Sequence, residues 1–470
     1  MIPRMPNQPE NNSNLLARSL SAVWHPCSQM KHYENFPLLP IARGSGVWLY
    51  DYDKKRYLDA VSSWWVNLFG HCNPRIGAAI ADQLGKLEHA MLAGFTHEPV
   101  VQLSERLREL APKGLGHCFY ASDGASATEI ALKMSAHFWR NSGKPEKVQF
   151  ISLENSYHGE TLGALSVTDV TLFRDAYGAL IRQQSTVPSP DWRKASAGES
   201  AEAYALRCAD ALELHLQRHH AQLAAFIIEP LVQGAAGMAM YHPVYLLRAR
   251  QLCDEYDVHL IADEIAVGMG RTGTMFACGQ APPPSSSLHP PAGEGVRGAG
   301  EGIKKGITPD FLCLSKGITG GYLPLSVVMT RDGIYQAFYS DEMTSGFLHS
   351  HSYTGNPLAC RAALATLDIF AQDNVIAANH DKAAYMNEIA APLREHCAVR
   401  NWRNTGMIWA FEVETPQRDF ARRCFELALG NELLLRPIGN TIYFMPPYII
   451  GELEMDLLVS RTLRIVNQLS

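Results

Sequence analysis

Short apolar runs, several of them rich in β-branched residues, alternate along the chain with longer amphipathic stretches. The clearest runs are Val148–Leu153, Ala225–Glu229, Val258–Asp263 and Asp310–Leu314. Continuous apolar runs of this length that end at polar or glycine-rich turns are typical of parallel strands covered on both faces. Helical periodicity fills the intervals, as in Ala203–Gln217 and Val244–Tyr256. The alternation predicts an α/β fold with a largely parallel sheet.

The alternation of apolar runs and helical stretches is interrupted at the N-terminus and again over residues 281–306. Residues 1–14 are polar and contain three prolines, which predicts a disordered tail and not a signal peptide. Ala281–Gly302 contains five Pro, five Gly and no aromatic residue. Such a composition buries too little apolar surface to offset the entropy of ordering. We expect residues 281–306 to be a flexible surface insertion, with a functional lid as the less favoured alternative.

Strand-like sequence resumes directly after this insertion, so the insertion does not divide two domains. The C-terminal part has two long helical patterns and then strand candidates at Leu433–Arg436 and Thr441–Met445. We expect a large domain over residues 75–357. A smaller α/β domain would be assembled from residues 15–74 and 358–470.

Composition and charge narrow the class of protein. Of the 470 residues, 47% are hydrophobic and 19% are charged, which is typical of a globular chain whose length favours two domains. A net charge of −6 without a dense basic run argues against a nucleic-acid partner. No apolar run approaches the roughly 20 residues that cross a bilayer, which argues against a membrane partner. The ten cysteines form no Cys-x-x-Cys pair, which predicts reduced thiols in a cytoplasmic protein.

A lysine and an aspartate stand where two of the predicted strands end. Lys316 follows the run Asp310–Leu314, and the glycines next to it permit close approach of a flat ligand. Taken alone it is one of 41 basic residues, which are usually solvated. Asp263 ends another buried run, and ligands of open α/β sheets bind at the carboxyl ends of strands. Taken alone it could equally be a cap or a turn residue.

Two further segments add chemistry at the same predicted sheet edge. Ser122–Ser126 precedes an amphipathic helix with Ile130, Met134 and Phe138 on one face. Small residues at a helix N-terminus expose N–H groups that suit a phosphate, although a capping box formed by Ser126 and Glu129 explains the segment as well.

Tyr157 and His158 follow the run Val148–Leu153. They bring an aromatic ring and an imidazole, and a packing role for the ring is an equally good interpretation of Tyr157 alone. In combination, a lysine, an acid, a phosphate cradle and a ring that can cover a ligand are what pyridoxal phosphate (PLP) requires of a protein.

The strings around these residues resemble those of the class III aminotransferases, which are PLP enzymes of fold type I. The resemblance runs from Trp24 to about Ile450, interrupted at 280–306. The motifs that carry it are Asp123-Gly-Ala-Ser-Ala-Thr-Glu129, Tyr157-His-Gly-Glu-Thr161, Ile261-Ala-Asp-Glu-Ile265, Leu314-Ser-Lys-Gly-Ile-Thr-Gly-Gly321 and Thr354-Gly-Asn-Pro-Leu-Ala359. It implies a large, mostly parallel domain, a small α/β domain from the chain ends, and a homodimer with shared active sites.

The residues that the resemblance assigns to PLP are Gly124, Ala125, Tyr157, Asp263, Lys316 and Ser352. Lys316 would be the catalytic lysine that binds the cofactor covalently, Asp263 would pair with the ring nitrogen, and Tyr157 would stack on the ring. The phosphate would be bound by backbone N–H groups of the two small residues. Ser352 would reach it from the other subunit of the dimer.

Within the class, the chain resembles the subgroup that transfers an amino group from S-adenosylmethionine to 8-amino-7-oxononanoate in biotin biosynthesis. The strings behind this are Trp24-His-Pro26, Ser62-Ser-Trp-Trp65, Arg271-Thr-Gly273, Arg436-Pro437 and Tyr443-Phe-Met-Pro-Pro-Tyr448. By this resemblance Trp64, Trp65, Tyr157 and Tyr443 line the substrate pocket. Arg436 would bind the substrate carboxylate, because a guanidinium fork matches a carboxylate in bidentate geometry.

The chain departs from the family pattern at several positions. Cys27 and Glu160 stand where many members have Tyr and Asp, and His351-Ser352 replaces a more usual Pro-Thr pair. Serine keeps the hydroxyl that would reach the phosphate. Ala266 stands where many ω-amino acid aminotransferases have Gln, which favours the biotin subgroup.

Other functions remain open from sequence alone. The same chemistry could act on an ω-amine or diamine. Gly268–Gly273 spells G-x-G-x-x-G, the fingerprint of an NAD-dependent dehydrogenase, but it requires a helix that begins on those glycines. A non-catalytic binding protein would be favoured if the lysine or the acid were absent. With no His-Glu-x-x-His among 18 His, we predict no metal site and interpret His349–His351 as loop polarity.

Overall fold

The computed structural model describes residues 11–36, 38–281 and 306–470, which divide into two compact units. The larger unit comprises residues 75–383 and 403–410. The smaller unit comprises the chain up to Pro74 together with residues 384–402 and 411–470.

The larger unit is organised around one mixed sheet. In spatial order its strands are Leu115–Ala121, Ser326–Arg331, Phe311–Leu314, His259–Asp263, Leu223–Ile228, Gln149–Leu153 and Ser185–Val187. Ser326–Arg331 runs antiparallel to both of its neighbours, and the pairs beyond it are parallel. The predicted α/β fold with a mostly parallel sheet is confirmed. A separate short antiparallel pair, Val232–Gln233 with Ala239–Met240, follows strand Leu223–Ile228 in the chain.

Helices cover this sheet and bury its apolar residues. They are Pro74–Leu84, Glu98–Leu110, Gly124–Asn141, Leu162–Ser166, Thr171–Arg174, Ala201–His219, Val244–Glu255, Asp332–Gln336 and Pro357–Gln372, with Val375–Ile389 crossing the division. Short 3₁₀ turns occur at Asp175–Tyr177, Trp192–Lys194, Ala277–Gln280, Lys316–Thr319 and Met343–Ser345.

The stripe predicted on helix Gly124–Asn141 faces the core. Ile130 and Met134 are buried in one cluster with Ile227 and Ile261 from the central strands, and Phe138 packs against the cluster. Burying apolar area in this way is the main favourable term in folding. It fixes the start of this helix against the carboxyl ends of the central strands.

The smaller unit contains two sheets and its own helices. One sheet pairs Ile41–Ser45, Trp48–Asp51, Arg56–Asp59 and Leu433–Leu434, and the other pairs Val399–Thr405, Ile408–Val413 and Thr441–Phe444. Residues 403–410, at the turn of the second sheet, group with the larger unit. The helices are Asn12–Ala22, Met30–Glu34 (3₁₀), Ala391–Arg394, Phe420–Gly430 and Glu452–Leu469.

The structure differs from two of the expected boundaries. Helix Asn12–Ala22 begins inside the predicted disordered tail, because the Asn11 side chain caps it by accepting a bond from Asn14 N at 2.8 Å. The large unit extends to 383 and not to 357. Its added helix, Pro357–Gln372, packs on helix Glu98–Leu110 and is buried along most of its length.

Most of the predicted insertion, together with residues 1–10, lies outside the described residues. The two flanks of the insertion lie side by side. Ile307 N donates to Cys278 O at 3.1 Å, and a Cβ atom on Gly306 would lie 2.6 Å from Gly279 Cα. The chain therefore leaves and re-enters the large unit at nearly one point.

Candidate active site

Asp263 ends a central strand of the large unit and is only 4% exposed. Its Oδ2 lies 2.7 Å from Nδ1 of His158, and its Oδ1 accepts a bond from Ile265 N at 3.1 Å. A buried carboxylate is costly unless it is paired and hydrogen-bonded. The imidazole is the partner that makes this burial possible.

His158 is held on both sides of its backbone. Its N–H donates to Thr168 Oγ1 at 3.0 Å, and its carbonyl accepts from Thr128 Oγ1 at 2.8 Å. The Nε2 atom is buried and has no hydrogen-bond partner among the described residues. The ring is therefore oriented by the protein, with Nδ1 directed at Asp263.

Lys316 is the second residue after the neighbouring strand Phe311–Leu314 and adopts a left-handed backbone conformation with φ 46°. Burial lowers the pKa of its amine, although the negative charges of Asp263 and Glu229 act in the opposite direction. An amine must be neutral to act as a nucleophile or a base. The surroundings of Lys316 therefore favour the reactive form.

Helix Gly124–Asn141 begins where the preceding strand Leu115–Ala121 ends. Asp123 caps it, accepting from Ser126 N at 2.9 Å. The capping box of Ser126 and Glu129 is therefore wrong: the helix begins at Gly124, so Ser126 lies inside its first turn and donates to the cap. Glu129 instead accepts from Gly163 N at 2.7 Å.

The start of this helix is packed closely against its neighbours, which only small residues permit. A Cβ on Gly124 would lie 2.9 Å from Ile265 Cγ2. Gly159, with φ +126°, passes so close that a Cβ there would lie 2.6 Å from the Ala125 side chain. Ser126 N–H is used by the Asp123 cap, whereas Gly124 and Ala125 are partly exposed at the positive end of the helix dipole.

Tyr157 is half-buried next to these residues. Its phenol donates to Glu160 Oε1 at 2.9 Å, and its backbone N–H donates to Glu229 Oε2 at 3.1 Å. Burial raises the pKa of Glu229 to about 7, opposed by the charge of His158. Glu160, one of the departures from the family pattern, thus fixes the hydroxyl of the predicted stacking ring.

Glu264 follows Asp263 and supports the same strand end. It is 1% exposed and accepts from the backbone N–H groups of Ala277 at 2.6 Å and Cys278 at 2.7 Å. Burial raises its pKa to about 7, against the opposing effect of these two hydrogen bonds.

Ser352 lies in an exposed loop of the larger unit. The structure records no contact between it and the other predicted cofactor residues of its own chain. Gly124, Ala125, His158, Asp263 and Lys316 do follow strands of one sheet that run in the same direction, which places them at the same edge.

The predicted substrate residues of the smaller unit contact one another. Trp65 Nε1 donates to the Tyr443 hydroxyl at 3.1 Å. The guanidinium carbon of Arg436 lies 5.0 Å from the centroid of the Trp64 ring, within the range of a cation–π contact. Burial raises the pKa of Tyr443 to about 12, so this side chain is a neutral phenol.

The residues of the large unit fit PLP. The hydrogen bonds of Asp263 leave acceptor capacity on its carboxylate for a protonated ring nitrogen. The glycine-lined helix start suits a phosphate, and Lys316 has the lowered amine pKa that covalent attachment needs.

The glycine motif Gly268–Gly273 lacks the structural context of a dinucleotide-binding site. Gly268–Gly273 lies in tight turns followed by the short segment Ala277–Gln280, and no helix begins on those glycines. Within the described ranges there is no group of three or more His, Cys, Asp or Glu that could hold a metal ion. Nor does any helix in these ranges have the length and apolar character needed to cross a membrane.

The fold and the site together define a PLP-dependent enzyme of fold type I. The family model for class-III aminotransferases matches residues 29–285 and 293–466. The chain belongs to this family of PLP-dependent transaminases.

Named relatives are similar over nearly their whole length. The adenosylmethionine-8-amino-7-oxononanoate aminotransferase of Helicobacter pylori is 44% identical over 97% of this chain and 98% of its own. Its namesake from Geobacter sulfurreducens is 39% identical over 93% and 94%.

Solved structures agree in fold. The enzyme of that name from Methanocaldococcus jannaschii aligns with a TM-score of 0.87 at 34% identity, covering 98% of this chain and all of that one. An (S)-enantioselective ω-transaminase from Thermomicrobium roseum aligns with a TM-score of 0.89 at 28% identity, covering 98% and 99%.

The sequence predicts that His158 follows one strand and that Glu229 ends another, but it assigns a role to neither side chain. His158 lies 105 residues from Asp263 in the chain, so only the pairing of the strands makes the contact visible. The available signal was positional: His158 and Asp263 both follow buried runs and so were expected at one sheet edge.

The raised pKa of Glu264 predicts that the free energy of unfolding depends on pH. Because its pKa is raised in the folded state, the folded protein holds this proton more tightly than the unfolded chain. The stabilisation is complete below the ordinary glutamate pKa of about 4.3 and is lost as pH rises through about 7. We expect the wild-type free energy of unfolding, relative to Glu264→Gln, to fall by up to about 3 kcal/mol between pH 5 and pH 8.

Urea denaturation of both holoproteins across this range measures the difference. Glu109→Gln, at an exposed helical position, controls for the loss of one negative charge. A wild-type minus Glu264→Gln difference that stays constant with pH would contradict the raised pKa.

Proposed function

We propose that this chain transfers an amino group from S-adenosylmethionine to 8-amino-7-oxononanoate, the transamination step of biotin biosynthesis. The single observation that carries the substrate assignment is Arg436 lying on the Trp64 ring. Relatives that bear this activity in their names are 44% and 39% identical to the chain over nearly its full length.

The residues of the large unit have defined tasks in this reaction. Bound PLP supplies an electrophilic carbon and an electron-withdrawing ring. Asp263 holds a proton on the ring nitrogen, and His158 keeps that carboxylate in place. Gly124 and Ala125 bind the phosphate through their N–H groups.

Tyr157 covers the ring and is fixed at its hydroxyl by Glu160. Lys316 binds the cofactor covalently at rest. With PLP bound, Lys316 Nζ would be placed to accept and return a proton at the substrate carbon, a task for the neutral amine that burial favours.

The residues of the small unit select the substrate. Arg436 binds the carboxylate at the end of the oxo acid. Trp64, Trp65 and Tyr443 provide an apolar wall for its methylene chain, and the Trp65–Tyr443 hydrogen bond fixes two of these side chains. The guanidinium is the cationic group that this set offers to a long monocarboxylate.

We also propose a cytoplasmic homodimer in which Ser352 of one subunit reaches the phosphate site of the other. In support, Met91, Phe95, Leu348 and Tyr353 are large apolar side chains exposed to solvent, the last two within four residues of Ser352. His89 contacts the Tyr353 ring at 4.9 Å, which joins the segments that carry these residues into one patch. In support of the reducing compartment, no disulfide joins cysteines among the described residues.

A second candidate is an ω-amine transaminase, favoured by the alignment with the Thermomicrobium roseum structure. The two candidates share the cofactor chemistry and differ in the amino donor and acceptor. The following measurement separates them.

The first experiment follows the visible absorption of the bound cofactor in purified holoenzyme. S-adenosylmethionine alone should bleach the band, and 8-amino-7-oxononanoate should restore it. Bleaching by lysine and not by S-adenosylmethionine would change the donor. Bleaching by simple ω-amines alone, with no response to the oxo acid, would overturn the proposed substrates in favour of the second candidate.

Replacing Lys316 removes the proposed proton carrier. Lys316→Ala should lower turnover by at least about 10²-fold, the usual contribution of a positioned acid–base group, while phosphate-anchored cofactor still binds. Steady-state kinetics and cofactor retention on gel filtration measure the two effects. Lys113→Ala, a lysine outside the site, is the matched control. Turnover close to wild type in Lys316→Ala would refute the assignment.

Replacing Arg436 tests the carboxylate role. Arg436→Ala should raise the KM for 8-amino-7-oxononanoate about 10- to 150-fold, the loss expected for hydrogen bonds to a charged group. The half-reaction with S-adenosylmethionine should change far less. Arg436→Lys keeps the charge without the fork and should fall between the two. Equal losses in both half-reactions would remove Arg436 from acceptor recognition.

A further inference from the structure

The segment that carries both tryptophans has an unusual backbone. Ser62, Ser63, Trp64 and Trp65 have φ values of 49°, 47°, 71° and 73°. Left-handed conformation is unfavourable for residues with a Cβ and is found mainly as single residues, seldom as a run. Backbone strain of this kind persists only where the surrounding structure determines it, and it concentrates at functional sites.

A fully buried aspartate accepts the hydrogen bonds that hold this backbone in its left-handed conformation. Asp59, at the end of strand Arg56–Asp59, has 0% exposure. Its Oδ1 accepts from Ser63 N at 2.9 Å, and its Oδ2 accepts from Ser63 Oγ at 2.7 Å. Both oxygens therefore bond to the second residue of the left-handed turn. On the other side of the turn, Ser62 Oγ donates to Met445 O at 2.7 Å.

The carboxylate is itself fixed by His71. His71 Nε2 lies 3.0 Å from Asp59 Oδ2, and the His71 backbone exchanges two hydrogen bonds with Gly46, at 2.7 and 3.1 Å. The imidazole packs over Gly44, where a Cβ would lie 2.5 Å from His71 Cβ. The aspartate is thus held between a backbone bridge and the turn.

The turn decides where the two indoles point. With Trp64 and Trp65 both left-handed, one ring lies beneath Arg436 and the other donates to the Tyr443 hydroxyl. A right-handed turn from the same residue would direct both side chains elsewhere. The contacts of Asp59 therefore reach the guanidinium through Ser63 and Trp64.

We propose that Asp59 is a positioning residue for substrate recognition, which acts through the left-handed turn Ser62–Trp65 to place Trp64 under Arg436. His71 is its support. The proposal rests on the proposed carboxylate role of Arg436. It assigns to this aspartate an effect on acceptor affinity and none on proton transfer.

The test compares variants in the two half-reactions of the holoenzyme. Asp59→Asn replaces one acceptor oxygen with a donor facing Ser63 and His71. It should raise the KM for 8-amino-7-oxononanoate about 10-fold, comparable to the loss of a hydrogen bond to a charged group, with kcat and the S-adenosylmethionine half-reaction within about 2-fold.

A second pair of variants leaves Asp59 intact, so the test survives if Asp59→Asn does not fold. Ser63→Ala and Ser63→Gly both lose the hydroxyl and keep the N–H donor. Glycine adopts positive φ without cost and alanine does not. Ser63→Gly should therefore recover most of the acceptor affinity that Ser63→Ala loses.

A double-mutant cycle links the turn to Arg436. If Asp59 acts largely through Arg436, Asp59→Asn should raise the acceptor KM by a smaller factor in the Arg436→Ala background than in the wild type. Additive losses, equal losses in both half-reactions, or no difference between Ser63→Ala and Ser63→Gly would each overturn the proposal. An Arg436→Ala enzyme with normal acceptor affinity would instead refute the carboxylate role itself, and that result is distinguishable because it involves no change at Asp59 or Ser63.

Discussion

The large unit depends on the burial of one charged group. Asp263 is placed by its strand in a position with almost no solvent, and a carboxylate there is stable only if its oxygens find donors. His158 and the backbone of Ile265 provide them. The rest of the site follows from the same burial, because the low-polarity surroundings that make Asp263 costly also lower the pKa of Lys316 and raise that of Glu229. One environment thus favours the neutral form of an amine and surrounds an acid that a specific partner holds in place.

In the small unit, the main constraint is the orientation of the Trp64 and Trp65 indole rings. Here the cost is conformational and is met by concentrated hydrogen bonding to a single side chain, with both oxygens of Asp59 directed at Ser63. Glycine in this turn would avoid the strain but would increase the conformational entropy of the unfolded chain. Serine keeps a hydroxyl for Asp59, so the turn is specified by contacts and not by backbone freedom.

Local pattern was sufficient for the elements and for their order. The strands predicted at Val148–Leu153, Val258–Asp263 and Asp310–Leu314 are present within one residue at each end, because a buried parallel strand needs a continuous apolar run. The domain boundary was less accessible: helix Pro357–Gln372 is amphipathic in either unit, and only its packing assigns it. The capping of helix Gly124–Asn141 was misassigned because Asp123 and Ser126 both satisfy the local rule.

Some features of the site could likewise be predicted from local sequence, whereas others depend on contacts between distant parts of the chain. Residues that follow strands could be grouped in advance, since the carboxyl ends of parallel strands share an edge. The pairing of His158 with Asp263 joins residues 105 positions apart and is fixed by strand order, which no local pattern encodes. The left-handed turn is the opposite case: Asp59 and Ser63 are four residues apart, yet Ser-Ser-Trp-Trp contains no glycine to indicate positive φ.

The residues proposed for cofactor binding and those proposed for substrate recognition overlap only at Tyr157. Two solved structures share this fold although they are only 28% and 34% identical to the chain, with TM-scores of 0.89 and 0.87. The first is named an ω-transaminase, and the second an adenosylmethionine-8-amino-7-oxononanoate aminotransferase. A scaffold shared that widely cannot by itself decide the substrate. Under the proposed function, acceptor choice is assigned to the tryptophan turn and Arg436, which offer the charge and apolar area that a long carboxylate requires. The proposal makes selection depend on how rigidly that turn is held, since a guanidinium recognises a carboxylate through direction as well as charge.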